Sequence, residues 1–312
     1  MILKDSLKYS DRTVSSPRDL RQAILQTVAY SDIFDYPLTI EEIHRYLIGN
    51  DASLAVVSEV INHIRNLETQ AGYYTLPGRI DLVRTRSLRT KIASALWSQA
   101  IRYGRIVSNF PFVKMVAVTG ALAMSNVDSD ADVDYLIVTK PGRLWTVRAM
   151  VLGLERIRVT GATICPNYLL SEAALSLEDK DLFTAQELVR MAPLSGFATY
   201  QRLRRENNWT SRYLPNAIDP PNQSHNISKP YKTIKTFGEI ILTASPGDRF
   251  EQWEMSRKIS MLTRKSASSN GEFGTEARFG PDWCKGHFDD HGAKTMVAFE
   301  RRLTKLDISY SE

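Results

Sequence analysis

The sequence predicts an α+β protein, and three observations lead to this class. Strand and helix patterns alternate in residues 113–204, three helical patterns and a hairpin pattern precede them, and helical patterns dominate residues 231–312. Because 312 residues exceed the size at which one hydrophobic core stops growing, we expect about two or three domains. The predicted divisions are an N-terminal unit (18–86), a connecting helix (87–112), a central domain (113–204), a linker (205–230) and a mainly helical C-terminal region (231–312).

The composition is that of an ordinary globular protein, with 43% apolar and 24% charged residues. A net charge of +5 permits contact with nucleic acid or nucleotide phosphates without requiring it. The two cysteines, Cys165 and Cys284, are interpreted as free thiols in a reducing compartment. The N-terminus shows no signal-like apolar segment, and the longest apolar stretch, "AMVLGL", is too short to span a bilayer. We therefore predict a cytoplasmic protein without a membrane partner.

The N-terminal unit combines three predicted helices with a hairpin. Apolar residues recur at helical spacing in "RDLRQAILQTVAYSDIF", which predicts the first helix. Thr39 and Glu42 form a capping box at the start of the second helix, and Asp51 is predicted to cap the third. Two short strands are predicted around the turn at Pro77 and Gly78. This order of elements resembles a winged-helix domain.

Whether such a unit reads DNA depends on its third helix. A helix that reads the major groove needs hydrogen-bond donors near its start. Here the helix starts with "DASLAVV", which is acidic and apolar, and Arg65 is its only basic residue. The hairpin carries Arg79, Arg84 and Arg86, which we expect to form a solvated basic wing. A packing or partner-binding module is therefore favoured, and DNA binding stays open as the alternative.

The central domain follows the connecting helix, "SLRTKIASALWSQAIRYGRIV". Its predicted strands are "VKMVAVTG", "DVDYLIVT" and "ATICPNYLLS". Its predicted helices are "RLWTVRAMVLGLERI", which is apolar nearly all round and therefore buried, and the amphipathic "EDKDLFTAQELVRM". The stretch 205–230 is polar with four prolines, which predicts a linker. The C-terminal region is predicted to be helical in "YKTIKTFGEIIL", "FEQWEMSRKISMLTRK" and "GAKTMVAFERRLTKL".

Four aspartates crowd the start of the second predicted strand, at positions 128, 130, 132 and 134. We favour Asp132 and Asp134 as a functional pair because the apolar strand begins directly after Asp134, whereas Asp128 and Asp130 are interpreted as loop acids. Side chains two apart on a strand share a face, roughly 6.5–7 Å apart. Two carboxylates at that distance repel each other in a partly buried cleft, and a divalent cation such as Mg²⁺ removes the conflict. The alternative is an acidic turn that binds no metal.

A glycine ends the strand before these aspartates. Gly120 lets the backbone approach a ligand closely, and the N–H groups that follow can point at a phosphate. The stretches "VAVTGALA" and "DADVDYLIVT" resemble the nucleotidyltransferase superfamily with the DNA polymerase beta-like fold, whose pattern is strand, Gly-Ser, about ten residues, Asp-x-Asp and strand. The flanking sequence resembles an uncharacterised bacterial branch that joins this domain to an N-terminal winged helix.

The resemblance implies a mixed sheet with helices and an Mg²⁺-dependent transfer of a nucleoside monophosphate from an NTP to a hydroxyl acceptor. Asp132 and Asp134 would be the catalytic metal-binding carboxylates, with one or two metal ions. Gly120 and Ala121 would meet the triphosphate. The acceptor, or a protein partner, is not specified by the resemblance.

Two positions depart from the family pattern. The serine of the Gly-Ser turn is Ala121 here, so a hydroxyl contact to phosphate is lost. A third carboxylate is expected on a later strand, where this sequence has Asn167, which cannot act as a base; Glu172 is a nearby substitute. These departures favour, as an alternative, a non-catalytic protein that binds a nucleotide or a partner through the same fold.

Lys140 and Arg143 follow the second strand of the motif. They are expected either to clamp a triphosphate or to be ordinary surface and helix-start charges. The sequence does not distinguish these two roles.

A second group of potential metal ligands lies in "CKGHFDDHG", and comprises Cys284, His287, Asp289, Asp290 and His291. All are residue types that bind zinc, but no CxxC or HExxH spacing supports a site. We favour a turn whose acids cap the last helix, with a zinc site as the alternative.

Overall fold

A computed structural model describes residues 17–156, 164–221, 232–243, 245–268, 277–286 and 291–308. Its α+β class is confirmed, because many helices surround strands that form a three-stranded and a six-stranded sheet within these residues. None of the helices in the described ranges combines the length and apolar character needed to cross a membrane.

The N-terminal unit consists of three helices and a small sheet. Its elements are α1 (Pro17–Asp32), β1 (Leu38–Thr39), α2 (Ile40–Arg45), α3 (Leu54–Ile61), β2 (Glu68–Gln70) and β3 (Tyr73–Thr75). The three strands are antiparallel in the order β1-β3-β2. The capping box of Thr39 and Glu42 is confirmed, whereas α3 is capped by Ser53 and not by Asp51.

The turn of the hairpin comes six residues earlier in the chain than predicted. Its turn is Ala71–Gly72, where both residues have positive φ, and the prediction of a second strand after Pro77–Gly78 is wrong. Residues after this point enter a long helix, α4 (Leu82–Ser108), which therefore starts before the connecting helix predicted at 87–112. The helical periodicity of the connecting stretch extends back to Val83, which is buried, so continuing the helix buries more apolar surface than a strand would.

The predicted basic wing is wrong for two of its three arginines. Arg79 pairs with Asp32 and Asp35, and Arg86, 8% exposed, forms two hydrogen bonds of 2.7 and 2.8 Å to the Glu42 carboxylate. The buried guanidinium of Arg86 needs its carboxylate partner, and the partly exposed Arg79 is engaged by two carboxylates, so both side chains are used within the unit.

The central domain contains every element predicted for it and several more. In chain order these are β4 (Val113–Val118), α5 (Gly120–Ala123), β5 (Val133–Thr139), α6 (Leu144–Arg156), β6 (Ile164–Ser171), α7 (Leu182–Arg190), β7 (Ala192–Ser195), α8 (Phe197–Glu206) and α9 (Thr210–Tyr213). The strands and helices that the sequence predicted are β4, β5, β6, α6 and α7. The short β7 and the helices α5, α8 and α9 were not predicted.

The structure corrects the predicted linker and adds two short strands to the mainly helical C-terminal region. Residues 205–221 are folded, and Leu214 and Ala217 are buried in the core of the N-terminal unit; residues 222–230 lie outside the described ranges. The C-terminal elements are α10 (Lys232–Thr243), α11 (Ser245–Ser268), β8 (Arg278–Phe279), β9 (Trp283–Lys285) and α12 (His291–Lys305). Strands β8 and β9 extend the large sheet, and Phe299 and Leu303 of α12 pack into the N-terminal core.

The large sheet has the strand order β7-β4-β5-β6-β9-β8 and is mixed, because β5 and β6 are parallel while the other pairs are antiparallel. Alternate residues of β5 enter two different cores. Val133, Tyr135 and Ile137 pack with α4, α6 and α11, whereas Leu136 and Val138 pack with α7 and α8. The sheet is therefore covered on both faces.

Candidate functional site

Gly120 lies directly against Asp134. Since β4 and β5 are antiparallel, the end of β4 meets the start of β5, and the Thr119 N–H donates to the Asp134 carbonyl oxygen at 3.0 Å. Gly120 has φ +64°, and a Cβ at this position would lie 2.7 Å from Oδ2 of Asp134. Only glycine therefore permits the turn and the carboxylate to approach this closely.

The Asp134 carboxyl is half-buried, on the face of the sheet that α7 and α8 cover. Its pKa is raised from 3.8 to about 6, mainly by burial; a hydrogen bond with the Cys165 side chain opposes the increase, and the negative charge of Asp132 contributes to it. Burial also raises the pKa of the Cys165 thiol to about 12, with a contribution from the charge of Asp134. Cys165 therefore stays a neutral thiol that donates to the carboxylate.

Asp132 precedes β5 and is exposed, while Asp134 lies within the strand. Asp128 and Asp130 belong to the turn before the strand, and Asp128 pairs with Arg89 at 3.1 Å. In the described part of the chain, neither Asp132 nor Asp134 is paired with a basic side chain. Within the described residues, no basic side chain therefore compensates the charges of this pair.

Neither substitute for the third carboxylate lies where it was expected. Cys165, which the sequence did not single out, is the direct neighbour of Asp134 in the parallel pairing of β5 and β6. An irregularity between Asp134 and Leu136 follows, so Asn167 is displaced toward a cleft. Glu172 comes directly after the other end of β6 and pairs with Lys114 at 3.8 Å, so it cannot reach Asp134.

Lys140 and Arg143 also lie away from the carboxylates. Lys140 follows the last residue of β5 and is six residues after Asp134, which is about 20 Å along an extended strand. Arg143 pairs with Asp248 of α11 and lies over the ring of Phe112. A phosphate held beside Asp134 is therefore out of their reach.

The segment that follows Gly120 is held by the N-terminal unit. The Tyr36 hydroxyl donates to the Met124 carbonyl oxygen at 2.8 Å, and the Asn126 amide donates to the Phe34 carbonyl oxygen at 2.9 Å. Arg89 of α4 donates to the Asn126 side chain at 3.2 Å. Because the two units share these bonds, the position of the glycine turn depends on their packing.

A cleft opens on the same face of the sheet, between β5, β6 and α7. Its walls are mainly apolar, with Leu136, Leu188 and Met191 among them, and its polar side chains include Thr119, Asn167 and Glu187. Leu136 is two residues after Asp134 on the same face, so the inner end of the cleft lies roughly 7 Å from the carboxylate along the strand. Sequence reasoning missed Thr119 and Glu187; the position of Thr119 directly before Gly120 was the one available signal.

The residues present fit a divalent cation in part. Two carboxylates with uncompensated charge, one with a raised pKa, suit a Mg²⁺ ion that completes its shell with water and substrate phosphates. Within the described ranges, however, no group of three or more His, Cys, Asp and Glu residues is arranged to hold a metal. The donor set alone is therefore incomplete without a substrate.

Only two of the potential zinc ligands near the C-terminus lie within the described residues. Cys284 is buried in β9 beside Leu169, and His291 begins α12. Positions 287–290, which include the other three candidates, lie outside the described residues. The two candidates that are described belong to separate elements of the fold.

In comparisons with known proteins, no family model matches the chain, and neither a curated protein nor a solved structure matches it significantly. Its function has to be inferred from the chemistry of the residues that the fold brings together.

Proposed function

We propose that the protein is an Mg²⁺-dependent nucleotidyltransferase that transfers a nucleoside monophosphate from an NTP to a hydroxyl acceptor. The observation that carries this proposal is the contact between Gly120 and the half-buried Asp134, with Asp132 beside it and, among the described residues, no basic side chain that neutralises the pair. The resemblance requires a strand, a glycine turn and an antiparallel strand with two carboxylates at its start. We therefore propose a nucleotidyltransferase-type sheet as the fold of this domain.

The glycine turn and the aspartates have different proposed roles, which are phosphate binding and metal binding. Gly120 and Ala121 begin α5, where backbone N–H groups have no partner within the helix and are suited to phosphate oxygens. Asp132 and Asp134 would hold Mg²⁺, which when bound neutralises phosphate charge and orients the phosphates for in-line displacement. The aspartate pair excludes phosphate when no cation is present, because like charges repel.

The reaction proceeds by displacement at the α-phosphorus. The acceptor oxygen forms a bond to this phosphorus while the bond to the pyrophosphate oxygen breaks, and the hydroxyl proton is released to the solvent. Ala121 offers no hydroxyl, so phosphate recognition by this turn rests on backbone N–H groups. The N-terminal unit, proposed to be winged-helix-like, fixes the turn through Tyr36 and Asn126.

A non-catalytic nucleotide-binding protein is the second candidate. It is favoured by the thiol of Cys165, which is the direct neighbour of Asp134 and which a raised pKa keeps protonated. A neutral thiol neither supplies a third carboxylate nor accepts a proton at neutral pH.

Label transfer distinguishes the two candidates. The protein is incubated with each α-labelled NTP, Mg²⁺ and an extract of small molecules as the acceptor source, alongside Asp132→Asn, Asp134→Asn and the control Asp128→Asn. Transfer that is lost in the first two variants and kept in the control supports the enzyme. Saturable NTP binding without transfer supports the second candidate, and the absence of NTP binding contradicts both.

A further inference from the structure

The apolar cleft beside the aspartates is not needed to hold phosphates or metal, so its chemistry can be considered separately. It encloses about 580 Å³, a volume that includes the solvent at its open mouth. Thr119 and Leu136 line it; Thr119 directly precedes Gly120, and Leu136 lies two residues after Asp134 on the same face of β5. A molecule in the cleft would therefore be adjacent to the proposed phosphate position.

Thr119 provides an independent sign of a ligand. It is only 7% exposed, and its hydroxyl has no hydrogen-bond partner in the part of the chain that the structure describes. Buried hydroxyls in proteins nearly always have a partner. Among the buried side-chain atoms without a partner in the described ranges, that of Thr119 is the one whose residue lines this cleft.

The walls decide what kind of molecule fits. Leu136, Leu177, Leu188 and Met191 form much of the wall, and a polar ligand atom placed against them would lose its hydration without compensation. The polar side chains of the cleft, which include Asn167, Glu187 and Lys285, can serve only a few polar ligand atoms. Sugars and nucleosides carry polar atoms around their whole periphery. A molecule with an apolar body and one polar group satisfies both the walls and the Thr119 hydroxyl.

We propose that this cleft binds the acceptor, and that the acceptor is a small molecule with an apolar ring or chain that bears a hydroxyl group. The hydroxyl group would lie near Thr119, at the end of the cleft beside Asp134, and the apolar body between the sheet and α7. This inference rests on the proposed nucleotide transfer, because only then does the molecule serve as an acceptor.

Binding of 2-naphthol, an apolar two-ring molecule with one hydroxyl group, tests the proposal without nucleotide or metal. Its dissociation constant is measured by ligand-observed NMR, with adenosine and glucose as polar comparators. We expect 2-naphthol to bind the wild-type protein and the comparators not to compete. Absence of 2-naphthol binding, or its displacement by adenosine, overturns the proposal, since adenosine would mark the cleft as a nucleobase site.

Variants locate the binding. Thr184→Trp, at a half-buried position that lines the cleft, is expected to abolish it, whereas Thr304→Trp on the exposed face of α12 leaves it unchanged. The isosteric Thr119→Val removes the hydroxyl and is expected to weaken binding about 3- to 10-fold without unfolding the protein, while Thr119→Ser retains it. Unchanged binding in both Thr184→Trp and Thr119→Val contradicts the assignment.

The aspartates separate this proposal from the function on which it rests. Asp132→Asn is expected to retain 2-naphthol binding and to lose label transfer. If the wild-type protein binds 2-naphthol in the cleft but transfers no nucleotide to any acceptor, the proposed function fails and the binding site stands. If transfer proceeds unchanged in Thr184→Trp, the function stands and the acceptor assignment fails.

Discussion

Replacement of Asp134 by asparagine should make the metal-free protein more stable at neutral and alkaline pH. Burial raises the pKa of this carboxyl from 3.8 to about 6, so the folded protein binds more protons than the unfolded chain between these two values. The free energy of unfolding therefore falls as the pH rises from about 4 to about 6, and stays lower above that range. A shift of roughly two pH units corresponds to about 3 kcal/mol.

Asparagine has nearly the same shape, can still accept the hydrogen bond from Cys165 and does not ionise. We expect Asp134→Asn to exceed the wild-type protein by about 1–3 kcal/mol at pH 8 in EDTA and to differ little at pH 4. Urea denaturation at a series of pH values measures both quantities. The matched control is Asp128→Asn, because its carboxylate is 68% exposed and paired with Arg89. A wild-type protein that is as stable as Asp134→Asn at pH 8 would refute the reasoning.

Three further variants test the contacts around the site. Gly120→Ala should abolish transfer and should destabilise the protein by more than Gly142→Ala. Gly142 has a similar positive φ but open space where a Cβ would lie, so its replacement carries only the backbone cost of about 1–2 kcal/mol. Thermal denaturation compares the two variants, and equal losses of stability would contradict a steric contact at Gly120. Asn126→Ala should raise the KM for NTP several-fold at a stability cost of about 1 kcal/mol, and an unchanged KM in steady-state assays would show that the turn does not depend on this bond. Arg86→Met should destabilise the N-terminal unit by about 3–5 kcal/mol, because Glu42 is left as a partly buried charge without its partner. Urea denaturation measures the loss, and a loss below about 1 kcal/mol would contradict a structural role for this ion pair.

The local patterns of the sequence predicted the central strands and helices well. β4 and β5 are apolar runs interrupted only by Lys114 and Asp134 before the terminal Thr139, and such runs bury both faces of a strand wherever a mixed sheet is covered on both sides. The glycine turn was also predictable, because Gly120 joins the end of one apolar run to an aspartate-rich segment. Its contact with Asp134 follows once the two strands pair in antiparallel fashion.

The errors have a common physical cause, which is that long-range packing decided between local alternatives. Pro77 and Gly78 are strong turn residues, yet the hairpin turns at Ala71 and Gly72 because the residues after Gly78 gain more from continuing α4. The prolines of 205–230 predicted a linker, although Leu214 in that range is buried against another unit.

The residue that lies opposite Asp134 on β6 could not be predicted from spacing alone. The irregularity between β5 and β6 places Cys165 opposite Asp134 and moves Asn167 toward the cleft, and no single-sequence pattern specifies such an irregularity. The direction of β5 likewise explains why Lys140 and Arg143 lie away from the aspartates. They are close to Asp134 in sequence, but β5 is fully extended and separates them from it.

Binding of Mn²⁺ in the presence of NTP tests the central claim most directly. Electron paramagnetic resonance counts the Mn²⁺ ions bound to the wild-type protein, Asp132→Asn, Asp134→Asn and Asp128→Asn, with and without nucleotide. We predict one or two ions that bind together with the nucleotide, are lost in the Asp132 and Asp134 variants and are kept in the Asp128 variant. Equal Mn²⁺ binding in all four proteins, or none with any nucleotide, would contradict a nucleotide site built on these two carboxylates.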